Sequence, residues 1–407
     1  MKKTGILLIC MLSLTCCLFW VRERMNYAEE QNFSREENFL QEQNGAGGIY
    51  DTVEEKLLYR EEDIEKEQEL VRELEAECYD YSMLNEEERR LYREIWGALT
   101  NYRVNVRLSS CDKEEISRVF QCVMNDHPEI FYVEGYTYTE YTLGSALRKI
   151  TFTGVYSMEQ KEIADRQRKI DAYVEECLRD MPAQADEYEK VKYIYEYLIC
   201  HTEYDSSVGD NQNICSVFLD RRSVCQGYAK AMQYLLRQVD VYATLVLGNV
   251  IHGESHAWDL VRIDGEFYYV DVTWGDASYQ AVDQQTDARL PEINYDYLCV
   301  TTQQLEKTHR IDNVVAMPEC TSMDANYYVR EGVYFTQMDQ DRLQSIFADA
   351  YDKGQTYITL KCADAEVYRQ MRESLIERQE IFSYLQLTDE AVSYSENDKQ
   401  YSMSFWL

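Results

Sequence analysis

The chain is short of basic charge: 41 lysine and arginine residues stand against 74 aspartate and glutamate residues, a formal net charge of −33 over 407 residues. A surface dominated by carboxylates repels phosphate backbones, so nucleic acid is excluded as a partner. Paired cysteines are missing too. None of the thirteen cysteines is spaced Cys-x-x-Cys, and Cys10, Cys16 and Cys17 fall in an apolar N-terminal run. That removes zinc-ribbon spacing and leaves most of the other cysteines as small buried hydrophobes. Histidine is scarce, with five residues, of which His127, His201 and His309 stand isolated, so neither a metal site nor a cofactor is expected. No internal repeat is visible. What the chain has in plenty is tyrosine, 35 residues, suited to packing a ring inside with its hydroxyl at the rim of a surface or groove. At 45% hydrophobic and 28% charged the composition is that of a globular protein, and the length predicts two or three domains.

Met1-Lys2-Lys3 precedes an uncharged run from Gly5 to Val21, which Arg22-Glu23-Arg24 closes. This reads as an export signal or signal anchor over residues 1–24, at the short end for a spanning helix. No small-x-small cleavage site follows. The expected product is an exported protein held to the membrane by its N-terminal segment, with its catalytic part outside. A lipid-modified cysteine within Leu14-Thr15-Cys16-Cys17 and a cleaved signal are the alternatives. Residues 25–80 read as an acidic helical stalk, with a stripe through Leu57, Ile64, Leu70, Val71 and Leu74. Residues 81–184 read as a small α/β domain and residues 318–407 as a second. The first has helices through Leu91, Ile95 and Leu99 and through Ile116, Val119 and Val123, then strands over 131–142 and 147–155. The second has strands at 327–335, 356–362 and 401–407 and helices at 340–352 and 365–379. Residues 185–317 carry the chemistry, with a strand expected over Tyr297 to Thr301.

Within that segment, Ala229, Met232, Leu235 and Leu236 follow Cys225 at helical spacing, and Ser223 is a suitable cap, so Cys225 lies in the first turn of a helix. The free N–H groups and positive end of a helix stabilise a thiolate and can also donate to a developing oxyanion. Further on, Asp264-Gly265 sits between aromatic and β-branched runs, which predicts a two-residue hairpin turn. Counting outward sets Ile263 against Glu266 and Trp258 against Asp271. His256, two residues from Trp258 on the same face, is then a diagonal neighbour of Asp271. Asp271 can fix the tautomer of His256 and leave the other ring nitrogen for Cys225. An aromatic groove near Tyr228, Trp258 and Trp274 is the alternative use of the segment, as a binding module for an extended peptide. His252 reads as a loop residue.

The blocks SVCQGYAKAMQYLL, VLGN and HAWDLVRIDGEFYYVDVTWGD, with Tyr204-Asp205 upstream, resemble the transglutaminase-like core of exported bacterial proteins over roughly residues 185–300. The resemblance implies a papain-like α+β fold flanked by the two small α/β domains, with Cys225 as nucleophile, His256 as base and Asp271 as orienting acid. It also implies thiol acyl transfer on a protein or peptide substrate, which includes cell-wall peptide, with no cofactor. Leu219 stands six residues before Cys225, where a papain-type oxyanion glutamine would be. Backbone N–H groups with Gln226 or Tyr204 nearby are the expected substitute.

Overall fold

The computed structural model describes residues 3–7, 61–251, 253–276, 290–386 and 391–407. They divide into two compact units, one within Met1–Cys78, Arg93–Lys113 and Val133–Ser157, the other within Tyr79–Tyr92, Glu114–Tyr132 and Met158–Leu407. This differs from breaks at 80, 184 and 317, because the chain passes between the units several times.

The first unit is built on strands β1 (Lys3–Leu7), β2 (Val106–Arg107), β3 (Val133–Leu143) and β4 (Ala146–Tyr156), in the order β1-β3-β4-β2. β3 and β4 form the predicted hairpin, turned at Gly144 with φ +64°, a conformation open to glycine without strain. On its buried face Tyr136 stacks on Phe152 with ring centroids 5.0 Å apart. The acidic helix is present as α1 (Glu61–Glu77), with Leu74 buried. Gly5, Ile6 and Leu7, the start of the apolar run, pair along β3 as a strand instead of opening a helix, meeting the backbone groups that β3 offers at its edge. The rest of that run and most of the stalk lie outside the described residues, as does His252. Among the described residues no helix is long and apolar enough to cross a membrane.

The two amphipathic helices expected after residue 85 form as α2 (Glu86–Thr100) and α3 (Lys113–Asp126). In the second unit α4 (Gln160–Leu178) leads to α5 (Glu187–His201). α5 starts on a reciprocal cap: Asp186 Oδ1 accepts the Glu189 N–H at 2.8 Å, and Glu189 Oε2 accepts the Asp186 N–H at 2.9 Å. It buries Val191, Ile194, Tyr195 and Leu198, the face its sequence spacing predicts. Short strands β5 (Glu203–Tyr204) and β6 (Arg222–Ser223) run parallel just before α6 (Cys225–Arg237). The sheet against α6 contains β7 (Ala243–Val250), β8 (Ser255–Ile263), β9 (Glu266–Val270) and β10 (His309–Ile311), in the order β10-β7-β8-β9. Ala229 of α6 packs on Leu245 and Ala257. The opposite face carries Val246, Trp258, Leu260 and Tyr269. The single helical turn α7 (Val272–Gly275) follows β9.

The C-terminal sheet, β11 (Tyr334–Phe335), β12 (Tyr357–Cys362), β13 (Tyr394–Asn397) and β14 (Ser402–Trp406), runs in the order β11-β12-β14-β13 under α8 (Gln340–Asp352) and α9 (Ala365–Arg372). It belongs to the same unit as the β7–β10 sheet. Buried Asp296 accepts from Lys361 Nζ at 2.7 Å, Ser402 Oγ at 2.6 Å and Asn397 Nδ2 at 3.1 Å, which ties the residues before 317 to this sheet. Two expected strands are largely replaced by turns. Residues 327–335 make a helical turn, Tyr327–Arg330, then a bend at Gly332 before β11, because Asn326 caps the turn through the Tyr328 N–H. Residues 297–301 contribute one bridge, between Val300 and Tyr269, after a 3-10 turn at Tyr295–Tyr297.

Candidate active site

Cys225 is the first residue of α6 and is half-buried. The residue before the helix is Val224, extended and without a side-chain cap, so Ser223 is not the cap its type suggested. Ser223 is instead buried, with its hydroxyl 2.6 Å from Ser216 Oγ and 3.2 Å from Asn211 O, and it fixes the loop that delivers the cysteine. Gly227 lets that loop come close. A Cβ there would stand 1.9 Å from Ser223 Oγ and 2.9 Å from Asn211 O. With no cap, the first N–H groups of α6 remain beside the thiol.

The hairpin register is the one counted from the sequence: Ile263 pairs Glu266, and the ladder runs to Asp259 against Val270. It ends one residue short of Asp271, which leaves the strand to cap α7, its Oδ1 accepting the Trp274 N–H at 3.0 Å. Asp271 Oδ2 meets His256 Nε2 at 2.7 Å. Cys225 is near enough to act on the charge of His256, and with Nε2 on Asp271 the nitrogen left facing elsewhere is Nδ1. Burial works against a charged His256, yet the Asp271 carboxylate and the Cys225 sulfur outweigh it and push its pKa up to about 10. Burial likewise opposes ionisation of Asp271, and His256, followed by His309, overcomes it and holds the carboxyl below the usual range.

His309 is the residue that sequence reasoning missed. It sits on β10, paired with Val250 of β7, and its Nε2 reaches Asp271 Oδ2 at 3.0 Å. The His256, Asp271 and His309 ligand atoms all lie within 4.8 Å of one another, but both Nε2 atoms stand at hydrogen-bond distance from one carboxylate oxygen, which only accepts. The trio is therefore a hydrogen-bonded set.

The other site candidates separate. Trp274 is half-buried, its ring 6.3 Å from His256 in a T-shaped contact. Gln226 is buried next to Cys225 on α6. Trp258 is 1% exposed and lies 5.9 Å from the His256 ring, as a wall behind the imidazole. Tyr228 is fully buried, its hydroxyl bonded to Thr202 O at 2.9 Å and Asp276 Oδ2 at 3.1 Å. Trp258 and Tyr228 are thus core residues, not the floor of an open aromatic groove. Tyr204 pairs with Ser223 on β5, its ring 6.5 Å from that of Tyr228. Leu219 lies in a widened helical turn, Ser216–Asp220.

A thiol at a helix start, with an imidazole and a carboxylate in the same neighbourhood, supplies the residue types that nucleophilic thiol chemistry uses. Residues 175–272 match the transglutaminase-like superfamily, and through this segment the chain carries a transglutaminase-like core. Among solved structures the chain is similar to a TGase (16% identity, TM-score 0.26, 33% of this chain and 43% of that one). It is also similar to a candidate cysteine protease from Cytophaga hutchinsonii (15%, 0.24, 33% and 61%). A third is the periplasmic domain of TgpA from Pseudomonas aeruginosa (14%, 0.22, 38% and 77%). The chain thus spans less than two thirds of the first two. No curated protein matches it.

Proposed function

We propose that the protein catalyses thiol-dependent acyl transfer on peptide or isopeptide amides, with Cys225 as nucleophile, His256 as acid and base, and Asp271 as the group that orients His256. The observation that supports it most is the 2.7 Å bond between His256 Nε2 and Asp271 Oδ2, in a ring whose charge Cys225 also influences. His256, held by Asp271, is set to take the thiol proton before attack and so becomes the imidazolium. In the first step the Cys225 sulfur forms a bond to the substrate carbonyl carbon. As the carbon–nitrogen bond breaks, the imidazolium gives its proton to the leaving amine. Water or an acceptor amine then attacks the thioester, His256 takes its proton, and the sulfur leaves as thiolate. Helix-start N–H groups near Cys225 are suited to hold the oxyanion.

Tryptophan rings wall His256 off from bulk water, which strengthens the electrostatic contacts inside. We further infer that the reaction takes place in the cell envelope, on the strength of Lys2-Lys3 and the apolar run behind them, with the membrane as the N-terminal partner. The test is to incubate the protein with a peptide library, with and without a primary amine, beside Cys225→Ala. Cleavage identifies a peptidase and amine adducts a transglutaminase, each absent from the variant. Equal peptide retention by both proteins with no covalent product refutes the enzyme and favours a binding module.

A further inference from the structure

We propose that His309 is a positioning residue for this site: its Nε2–H bond to Asp271 Oδ2 fixes the carboxylate that orients His256 against Cys225. The inference rests on the acyl-transfer reading above. Asp271 Oδ2 can only accept, so both imidazoles donate to it, His256 at 2.7 Å and His309 at 3.0 Å, while Trp274 N–H holds Oδ1 at 3.0 Å. Three donors leave the carboxylate no freedom to rotate away from His256. The far side of His309 is committed as well. Its Nδ1 lies 2.8 Å from Thr308 Oγ1, which is 3.3 Å from Tyr297 Oη, itself 3.4 Å from Gln400 Nε2. In a neutral ring with Nε2–H on Asp271, Nδ1 is the acceptor on the Thr308 side. Burial favours that neutral form, opposing the pull of Asp271.

The ring is caged by Trp258, Trp274 and Tyr297, at centroid distances of 5.1, 4.9 and 5.6 Å. A buried histidine could serve packing alone, and phenylalanine would then replace it well. What packing does not need is the ring nitrogen on Asp271. The other titratable groups facing this cluster are Cys225 from α6, Tyr195 from α5, Asp259 from β8 and Tyr297. His309 is thus a second imidazole on the same oxygen, brought in by β10 from beyond β7. It makes the alignment of His256 depend on a strand outside the hairpin that carries His256 and leads into Asp271.

The test needs no substrate. Iodoacetamide labelling of Cys225 is followed by mass spectrometry across pH for the parent, His309→Phe and His309→Gln, with exposed Cys111 and Cys200 as internal references. Phenylalanine keeps the ring and removes the donor, whereas glutamine keeps an N–H donor at similar reach. In the parent, Cys225 should outpace both references at mildly acidic pH. In His309→Phe the acid limb should move up by about one pH unit, a roughly tenfold loss of labelling on that limb, because one hydrogen bond to an ionised group is gone. His309→Gln should stay within about threefold of the parent. A folded His309→Phe with the parental acid limb overturns the inference and leaves the acyl-transfer reading standing. Equal loss in both variants, with lowered melting temperatures and an unmoved limb, also overturns it and makes His309 a packing residue. A parent in which Cys225 labels no faster than Cys111 and Cys200 overturns the acyl-transfer reading, and this inference with it.

Discussion

Replacing Asp259 by leucine should stabilise the protein, and by an amount that grows with pH. Asp259 lies on β8 between Trp258 and Leu260, fully buried, with neither carboxyl oxygen hydrogen-bonded among the described residues. Burial, and next the charge of Asp271, hold its pKa well above the usual carboxylate value. The folded chain therefore keeps the Asp259 proton where the unfolded chain, with a pKa of about 3.9, has released it. Its contribution is fully present below that unfolded value and is lost as pH rises towards the folded pKa, at about 1.4 kcal/mol per pH unit. Leucine does not titrate, and it also removes an unsatisfied buried polar group worth about 1–3 kcal/mol. Urea denaturation of the parent, Asp259→Leu and Asp259→Asn, followed by tryptophan fluorescence from pH ~4 to ~7, measures both terms. The gap between the leucine variant and the parent should begin at about 1–3 kcal/mol near pH 4 and widen with pH; the asparagine variant should show the widening with a smaller offset. A gap that does not change with pH, or a loss of stability in both variants, refutes the reasoning and means that Asp259 is ionised and paired.

Lys361→Met should cost about 3–5 kcal/mol, because it strands buried Asp296 without its cation, and Asp296→Leu in the same chain should recover much of the loss; denaturation midpoints decide between these outcomes. Gly227→Ala should lower the labelling rate of Cys225 more than that of Cys200, since the new Cβ collides with Ser223 and the Asn211 carbonyl at the entry to α6; equal labelling would show that the loop yields freely.

The parts of the site that were legible in the sequence are local ones. Asp264-Gly265 set the register of a hairpin that presents His256 and leads into Asp271, and period-3.6 spacing after Cys225 set a helix at the cysteine. Both are short-range signals, decided by turn chemistry and by one stripe of apolar residues. His309 was not legible. β10 is three residues long, and only its pairing with β7, some sixty positions earlier in the chain, brings His309 to Asp271. Tertiary placement also overrode residue type at Tyr228, whose position after the nucleophile suggested a groove but whose hydroxyl is spent inside the core. Ser223 has the chemistry of a cap, yet the neighbouring Ser216 hydroxyl claims it. At Tyr327 an aromatic run reads as strand by propensity, while the Asn326 side chain starts a helical turn. Long-range polar pairs such as Asp296 with Lys361 were not legible either, because they join segments that composition alone separates.

The most direct measurement is to quench the protein in acid during turnover of the peptide library and map any adduct by mass spectrometry. The expected result is an acyl group in thioester linkage on Cys225, absent from Cys225→Ala and discharged by water or by an added primary amine. Product formation at the parental rate by Cys225→Ala, or an acyl group carried on another residue, would contradict it.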